Sequence, residues 1–184
     1  MTKAYRIAVI IGSLRKESLN RKFARALMQL APEDMLFRES AIGDLPLYNE
    51  EEENNPPAPV IRLKQEISES DGVLFVTPEY NRSIPGLLKN AIDQASRPYG
   101  RSSFSGKPAG IAGVSPGAAG TAMAQQHLRN VLAFLDMPTL GQPELFIQAK
   151  EGLFDPEGNF GEASRPFLQG WMDRYSSWVR HHSH

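Results

Sequence analysis

Five short apolar runs, each followed by a stretch of helical spacing, constrain this chain more than any other feature. Residues 5–11 are nearly all apolar, which suits a strand covered on both faces. Over 19–30, Leu19, Phe23, Leu27 and Leu30 share a helical face, and Ser18 stands where a cap belongs. Residues 35–41 read as a second strand, and Val60, Leu63 and Ile67 give 60–70 helical spacing. Residues 71–77, β-branched and aromatic, are the clearest strand. Pro85 suits a helix start, where its missing N–H is not needed, and Leu88, Ala91, Ile92 and Ala95 form that helix's apolar face. A strand over 108–114 and a helix over 121–134 follow, then a fifth strand from Leu140 and 145–147, then an amphipathic helix over 167–179. This order predicts an α/β fold, a doubly wound five-stranded parallel sheet with helices on both faces. Ligands of such sheets bind beyond the C-terminal strand ends, so the loops there are where function is sought.

The 184 residues predict one domain, 1–184, with enough chain to bury a core. A hydrophobic share of 41% and a charged share of 22% exclude a mostly disordered chain. The formal net charge of −1 offers no attraction to nucleic acid or to a membrane surface. No apolar run is long enough to span a bilayer, and the first residues lack a secretory pattern, so a cytoplasmic enzyme or carrier is expected. The absence of cysteine excludes disulfides, thiolate metal sites and a cysteine nucleophile. Four glutamates and three prolines within 49–59 read as an exposed loop inside the domain, because like charges repel and proline interrupts helix and central strand.

The loop after the first strand reads Gly-Ser-Leu-Arg-Lys-Glu-Ser-Leu-Asn over 12–20. It meets a helix N-terminus, where free N–H groups and the helix dipole favour an anion. Ser13 and Ser18 bring hydroxyls, Arg15 a guanidinium and Asn20 an amide, a set that would hold a phosphate. It is neither a P-loop nor a dinucleotide fingerprint, since Gly12 stands alone. A capped helix start with solvated charges is the competing reading. The loop after the third strand carries Pro78, Glu79, Tyr80 and Asn81. Its aromatic face and amide donor suit the edge of a planar heterocycle; a proline-rich turn is the alternative.

Together, Gly-Ser-Leu-Arg-x-x-Ser-x-Asn at 12–20 and Pro-Glu-Tyr-Asn at 78–81, followed by Ser-Ile-Pro-Gly-x-Leu-Lys-Asn-Ala-Ile-Asp, resemble the NADPH-dependent FMN reductase family, in its chromate and quinone reductase branch. The likeness covers residues 7–147. It implies a flavodoxin-like sheet of order 2-1-3-4-5, a non-covalent FMN, and NADPH or NADH as electron donor. By that resemblance Ser13, Arg15, Ser18 and Asn20 take the flavin phosphate. Pro78, Glu79, Tyr80 and Asn81 border the isoalloxazine. Ser115 and Gly117, in the loop 115–120, flank its other edge. The resemblance further implies hydride transfer through flavin N5, a small acceptor such as a quinone (chromate and azo compounds being further electron sinks), no catalytic side chain, and a homodimer or homotetramer. A flavodoxin-type electron carrier is the alternative, although such carriers are strongly acidic and this chain is not.

Several other features compete for a role. Gly113-Val-Ser-Pro-Gly117 matches the nucleophile elbow G-x-S-x-G, but Pro116 lacks the N–H that would serve the oxyanion, so the match is set aside. Arg97, Tyr99 and Arg101 could reach the nicotinamide phosphate or a neighbouring subunit, or form a solvated loop. Asn81-Arg-Ser83 fits a glycosylation sequon that needs a secretory context. His127 reads as a surface residue, and His181, His182 and His184 as a frayed tail without metal-binding spacing. Trp171 and Trp178, seven apart, read as packing.

Overall fold

A computed structural model describes residues 3–183. Five strands form one all-parallel sheet of order β2-β1-β3-β4-β5: β1 (Tyr5–Ile11), β2 (Met35–Glu39), β3 (Gly72–Val76), β4 (Ala109–Ser115) and β5 (Leu145–Gln148). Five α-helices alternate with them: α1 (Leu19–Met28), α2 (Ala58–Ser68), α3 (Gly86–Ser96), α4 (Ala122–Phe134) and α5 (Arg165–His182). The flavodoxin-like order implied by the sequence is the order observed. Among the described residues no helix is long and apolar enough to cross a membrane.

Strand alternation decides which helix packs where. Ile7, Val9, Ile11, Leu74, Val76, Ala112 and Val114 face α1 and α5, meeting Phe23, Leu27, Trp171, Tyr175 and Val179. Ala8, Ile10, Val73, Phe75, Ala109 and Ile111 face α2, α3 and α4, meeting Leu63, Ile67, Leu88, Ile92, Leu128 and Leu132. Both faces are therefore dry. Trp171 is core and stacks on Tyr175 at 5.3 Å, while Trp178 lies at the margin and donates its indole N–H to the Pro138 carbonyl at 2.9 Å.

Three expectations need correction. Leu140 lies outside β5: its N–H donates to the Ala109 carbonyl at 2.9 Å before Gly141, Gln142 and Pro143 turn the chain into the strand. The acidic stretch is not loop throughout, because Glu50–Glu52 form a 3-10 turn capped by Asn49 and α2 already begins at Ala58. His181 and His182 are no frayed tail but the end of α5, where the His182 ring packs against Trp178 at 3.9 Å, tilted by 39°. His184 lies outside the described residues.

Candidate functional site

The loops leaving β1, β3 and β4 lie side by side, because these strands are neighbours in the sheet. In the first, Gly12 still donates to the Val76 carbonyl at 2.9 Å and Ser13 to the Ile11 carbonyl at 2.9 Å. Beyond them, the N–H groups of residues 14–18 donate to no protein acceptor among the described residues. The carbonyls of this loop are gathered instead by Arg21. Its guanidinium donates to the carbonyls of Arg15 at 3.0 Å and Ser13 at 3.3 Å, and to Glu39 at 3.0 Å. Because N–H and C=O point opposite ways in a trans peptide, holding these two carbonyls turns the N–H groups of Leu14 and Lys16 away from Arg21. Ser18 caps α1 by accepting the Arg21 N–H at 3.2 Å, which adds the positive end of the helix dipole. Ser13 and Ser18 are buried, and Arg15 is exposed at the rim.

Sequence reading passed over Arg21. One signal was present: it is the third helical residue after Ser18, where glutamate would complete a capping box and where the dipole disfavours a cation. A basic residue there marks a local rule broken for another purpose.

Asn20 does something the sequence could not display. On the β3 side of β4, Thr77 donates to the Ala112 carbonyl at 3.0 Å. Two residues further along β4 that partner is gone, because β3 ends at Val76 and the chain turns away beyond Thr77. The Asn20 amide replaces it, donating to the Val114 carbonyl at 2.9 Å and accepting the Val114 N–H at 3.0 Å. It is buried and extends the sheet by one rung. Its observed partners are therefore backbone atoms of β4.

In the third-strand loop, Tyr80 and Ser83 exchange backbone hydrogen bonds of 3.0 Å each, closing a tight hairpin around Asn81 (φ 52) and Arg82 (φ 60). Tyr80 is 48% exposed. Pro78 is partly buried. Glu79 turns its carboxylate to the Ala124 N–H at 3.0 Å, capping α4 from another element, where a negative charge suits the helix dipole. Thr121, the residue preceding α4, gives its own helix no cap; its hydroxyl accepts from Gln125 at 2.8 Å.

The loop after β4 explains the elbow-like motif. A Cβ at Gly113 would lie 2.1 Å from the Thr121 hydroxyl and 2.4 Å from the Thr77 carbonyl, so only glycine fits. Ser115 accepts the Gly117 N–H at 3.1 Å and engages no histidine among the described residues. Gly120, at φ +59, lies so close to β5 that an added Cβ would be 2.6 Å from the Phe146 carbonyl carbon. These contacts bring 115–120 to the same end of the sheet as the other two loops.

Arg97, Tyr99 and Arg101 lie apart. The Arg97 guanidinium sits over the Tyr48 ring at 6.0 Å, and its carbonyl accepts from Lys64, whose ammonium burial holds below its ordinary range. Tyr48 donates to Glu53 at 2.5 Å, and that carboxylate pushes the phenol upward. The acidic stretch is thus anchored on α2 and α3, while Tyr99 and Arg101 are exposed. Among the described residues no group of three or more His, Asp or Glu side chains could hold a metal ion.

An all-parallel 2-1-3-4-5 sheet with an anion-ready loop after its first strand is the architecture of flavodoxin-like flavoproteins. Comparison with known proteins narrows that class. Residues 5–152 match the model of the NADPH-dependent FMN reductase family. The chain is 53% identical over 181 residues to a quinone reductase of Pseudomonas putida, covering 98% of this chain and 97% of that protein. It is 51% identical over 178 residues to a 2-hydroxy-1,4-benzoquinone reductase of a Burkholderia species, covering 96% and 97%. Among solved structures it is similar to FerB, a flavoenzyme NAD(P)H:(acceptor) oxidoreductase from Paracoccus denitrificans. That likeness has a TM-score of 0.94 and 44% identity, over 98% of this chain and all of that one. The chain belongs to the NADPH-dependent FMN reductase family.

Proposed function

We propose that the protein is an FMN-dependent NAD(P)H oxidoreductase whose acceptors are quinones or similar small planar molecules. The carrying observation is the set of free N–H groups at 14–18, backed by Ser13, Ser18 and the α1 dipole, beside the hairpin bearing Tyr80. The donor set fits a phosphate monoester, which wants several convergent N–H and O–H groups and a nearby cation. Bound FMN supplies a two-electron relay from the nicotinamide to the acceptor, and the protein supplies position and polarity.

Each part of the chain has a task in this reading. Ser13, Ser18 and the backbone at 14–18 hold the phosphate, and Arg15 adds charge from the rim. Asn20 holds β4 in register beneath the loop, so its service to the phosphate site is positional first. Pro78 and Tyr80 wall one edge of the flat ring against water. Asn81 offers an amide to ring carbonyls, and Glu79 fixes the segment onto α4. Ser115 and Gly117 bring the third loop to the opposite edge. Backbone donors there would stabilise negative charge that develops on the ring during reduction. A homodimer or homotetramer, as the family resemblance implies, belongs to the same proposal, and sedimentation would test it.

The test uses the purified chain loaded with FMN, titrated anaerobically with NADPH and NADH and then given a benzoquinone. The flavin bands are expected to bleach with at least one donor and to return when the quinone is added. Bands that persist with both donors would overturn the reading.

A further inference from the structure

Both ends of the 80–83 hairpin are tied to one face of α4. Before it, Glu79 accepts the Ala124 N–H at 3.0 Å; at its close, the Ser83 hydroxyl lies 2.9 Å from Nδ1 of His127. Ala124 and His127 are three residues apart, so they are neighbours on the helix surface. Other polar residues of α4 look elsewhere: Gln126 donates to Glu144 at 3.0 Å and Arg129 to the Leu140 carbonyl at 2.9 Å. His127 is exposed, so core packing does not account for its placement.

What the two ties hold is strained. Asn81 and Arg82 both sit in the left-handed region, at φ 52 and 60, as the central pair of a tight two-residue hairpin requires. Asparagine tolerates this conformation; arginine stands where glycine would be unstrained. Such a backbone persists where its surroundings over-determine it. The backbone bonds between Tyr80 and Ser83 close the turn on itself, and the α4 ties fix it relative to the sheet.

We infer that His127 is a positioning residue for the flavin reaction: through Ser83 it holds the strained Asn81–Arg82 turn, and so aims Tyr80 and Asn81 at the cofactor. The inference rests on the reading that this hairpin borders the flavin. His127 itself need touch neither cofactor nor acceptor. Its effect passes through one hydrogen bond and one turn.

The test is made on the FMN-loaded enzyme with His127→Ala, Ser83→Ala, both together, His127→Asn, Arg82→Gly and Asn81→Leu. The readouts are the KM and kcat for a benzoquinone, the reduction potential of the bound flavin and the melting temperature. His127→Ala and Ser83→Ala are each expected to change KM by about threefold to tenfold, as loss of one hydrogen bond would. The potential should move with KM while melting stays close to the parent. The double variant should match the singles, since both remove the same bond. His127→Asn, which can still reach Ser83, should recover most of the loss. In the Arg82→Gly background, where strain is relieved, His127→Ala should matter less. A His127→Ala variant altered only in melting temperature, or single effects that multiply in the double variant, would overturn the inference. If Asn81→Leu changes the flavin potential and His127→Ala does not, the inference alone fails. If Asn81→Leu leaves the flavin untouched, the hairpin lies outside the site, and the underlying reading fails with it.

Discussion

Two arginines near the first loop act by different physics. Arg15 is exposed, so the charge it offers an anion is screened by solvent. Arg21 is tied to two loop carbonyls and to Glu39, and it decides which way the peptide groups point. Arg15→Glu is expected to weaken FMN binding by about tenfold at low salt and less at high salt, the behaviour of an exposed charge. Arg21→Leu removes charge-assisted hydrogen bonds that fix the loop, each worth about 1.5–3 kcal/mol, so binding should weaken by roughly tenfold to a hundredfold. Its loss should depend little on salt. FMN dissociation constants at two ionic strengths separate the two. If both variants follow the same salt dependence, Arg21 is only another surface charge.

At the scale of elements, Asn20 ties α1 to β4 across 94 residues of sequence. Asn20→Leu keeps the branched outline of the side chain but leaves the buried Val114 N–H and carbonyl unpaired. An unsatisfied buried group costs about 1–3 kcal/mol, so the variant should lose about 2–3 kcal/mol of stability even without FMN, read from its urea midpoint. A residue serving the phosphate alone would leave the apo chain unchanged. The same contrast explains what could be read in advance. All five strands and five helices were legible, because local apolar spacing reports which face is buried, and the sheet order was legible through the loop motifs. The end of α5 was missed because Arg180, His181 and His182 carry no apolar signal, though the His182 ring packs against Trp178. Leu140 looked like strand because it is apolar and buried, yet Pro143 keeps it out of β5. The partners that shape the site, Arg21 with the Ser13 carbonyl, Asn20 with Val114, and Glu79 with Ala124, are tertiary or loop-to-helix contacts that no periodicity encodes.

Over the whole molecule the two ends of the sheet have separate duties. The candidate site occupies the C-terminal strand ends, and charge pairs close the opposite end. Arg180 of α5 holds Asp34, the residue before β2, through two hydrogen bonds of 2.9 and 2.7 Å. The Asp34 carbonyl in turn accepts the Tyr5 N–H at 2.7 Å, so the pair fastens the last helix to the start of the sheet. The hydrogen-bonded guanidinium holds the Asp34 carboxyl below its ordinary range. With the folded-state value depressed, the pair's contribution is complete above the unfolded value, near 3.9, and fades as pH falls through the lower folded value. Exposed pairs contribute up to about 1 kcal/mol, so Asp34→Asn should lower the melting temperature at neutral pH by no more than roughly 2–4 °C. Variant and parent should converge once the parent's Asp34 is protonated. FMN affinity at neutral pH should not change, because the pair lies at the other end of every strand. Melting curves at neutral and strongly acid pH, with an FMN titration at neutral pH, decide this. A gap that persists in acid would show that Asp34 acts through something other than its charge, and a loss of FMN affinity would show that the two ends are coupled.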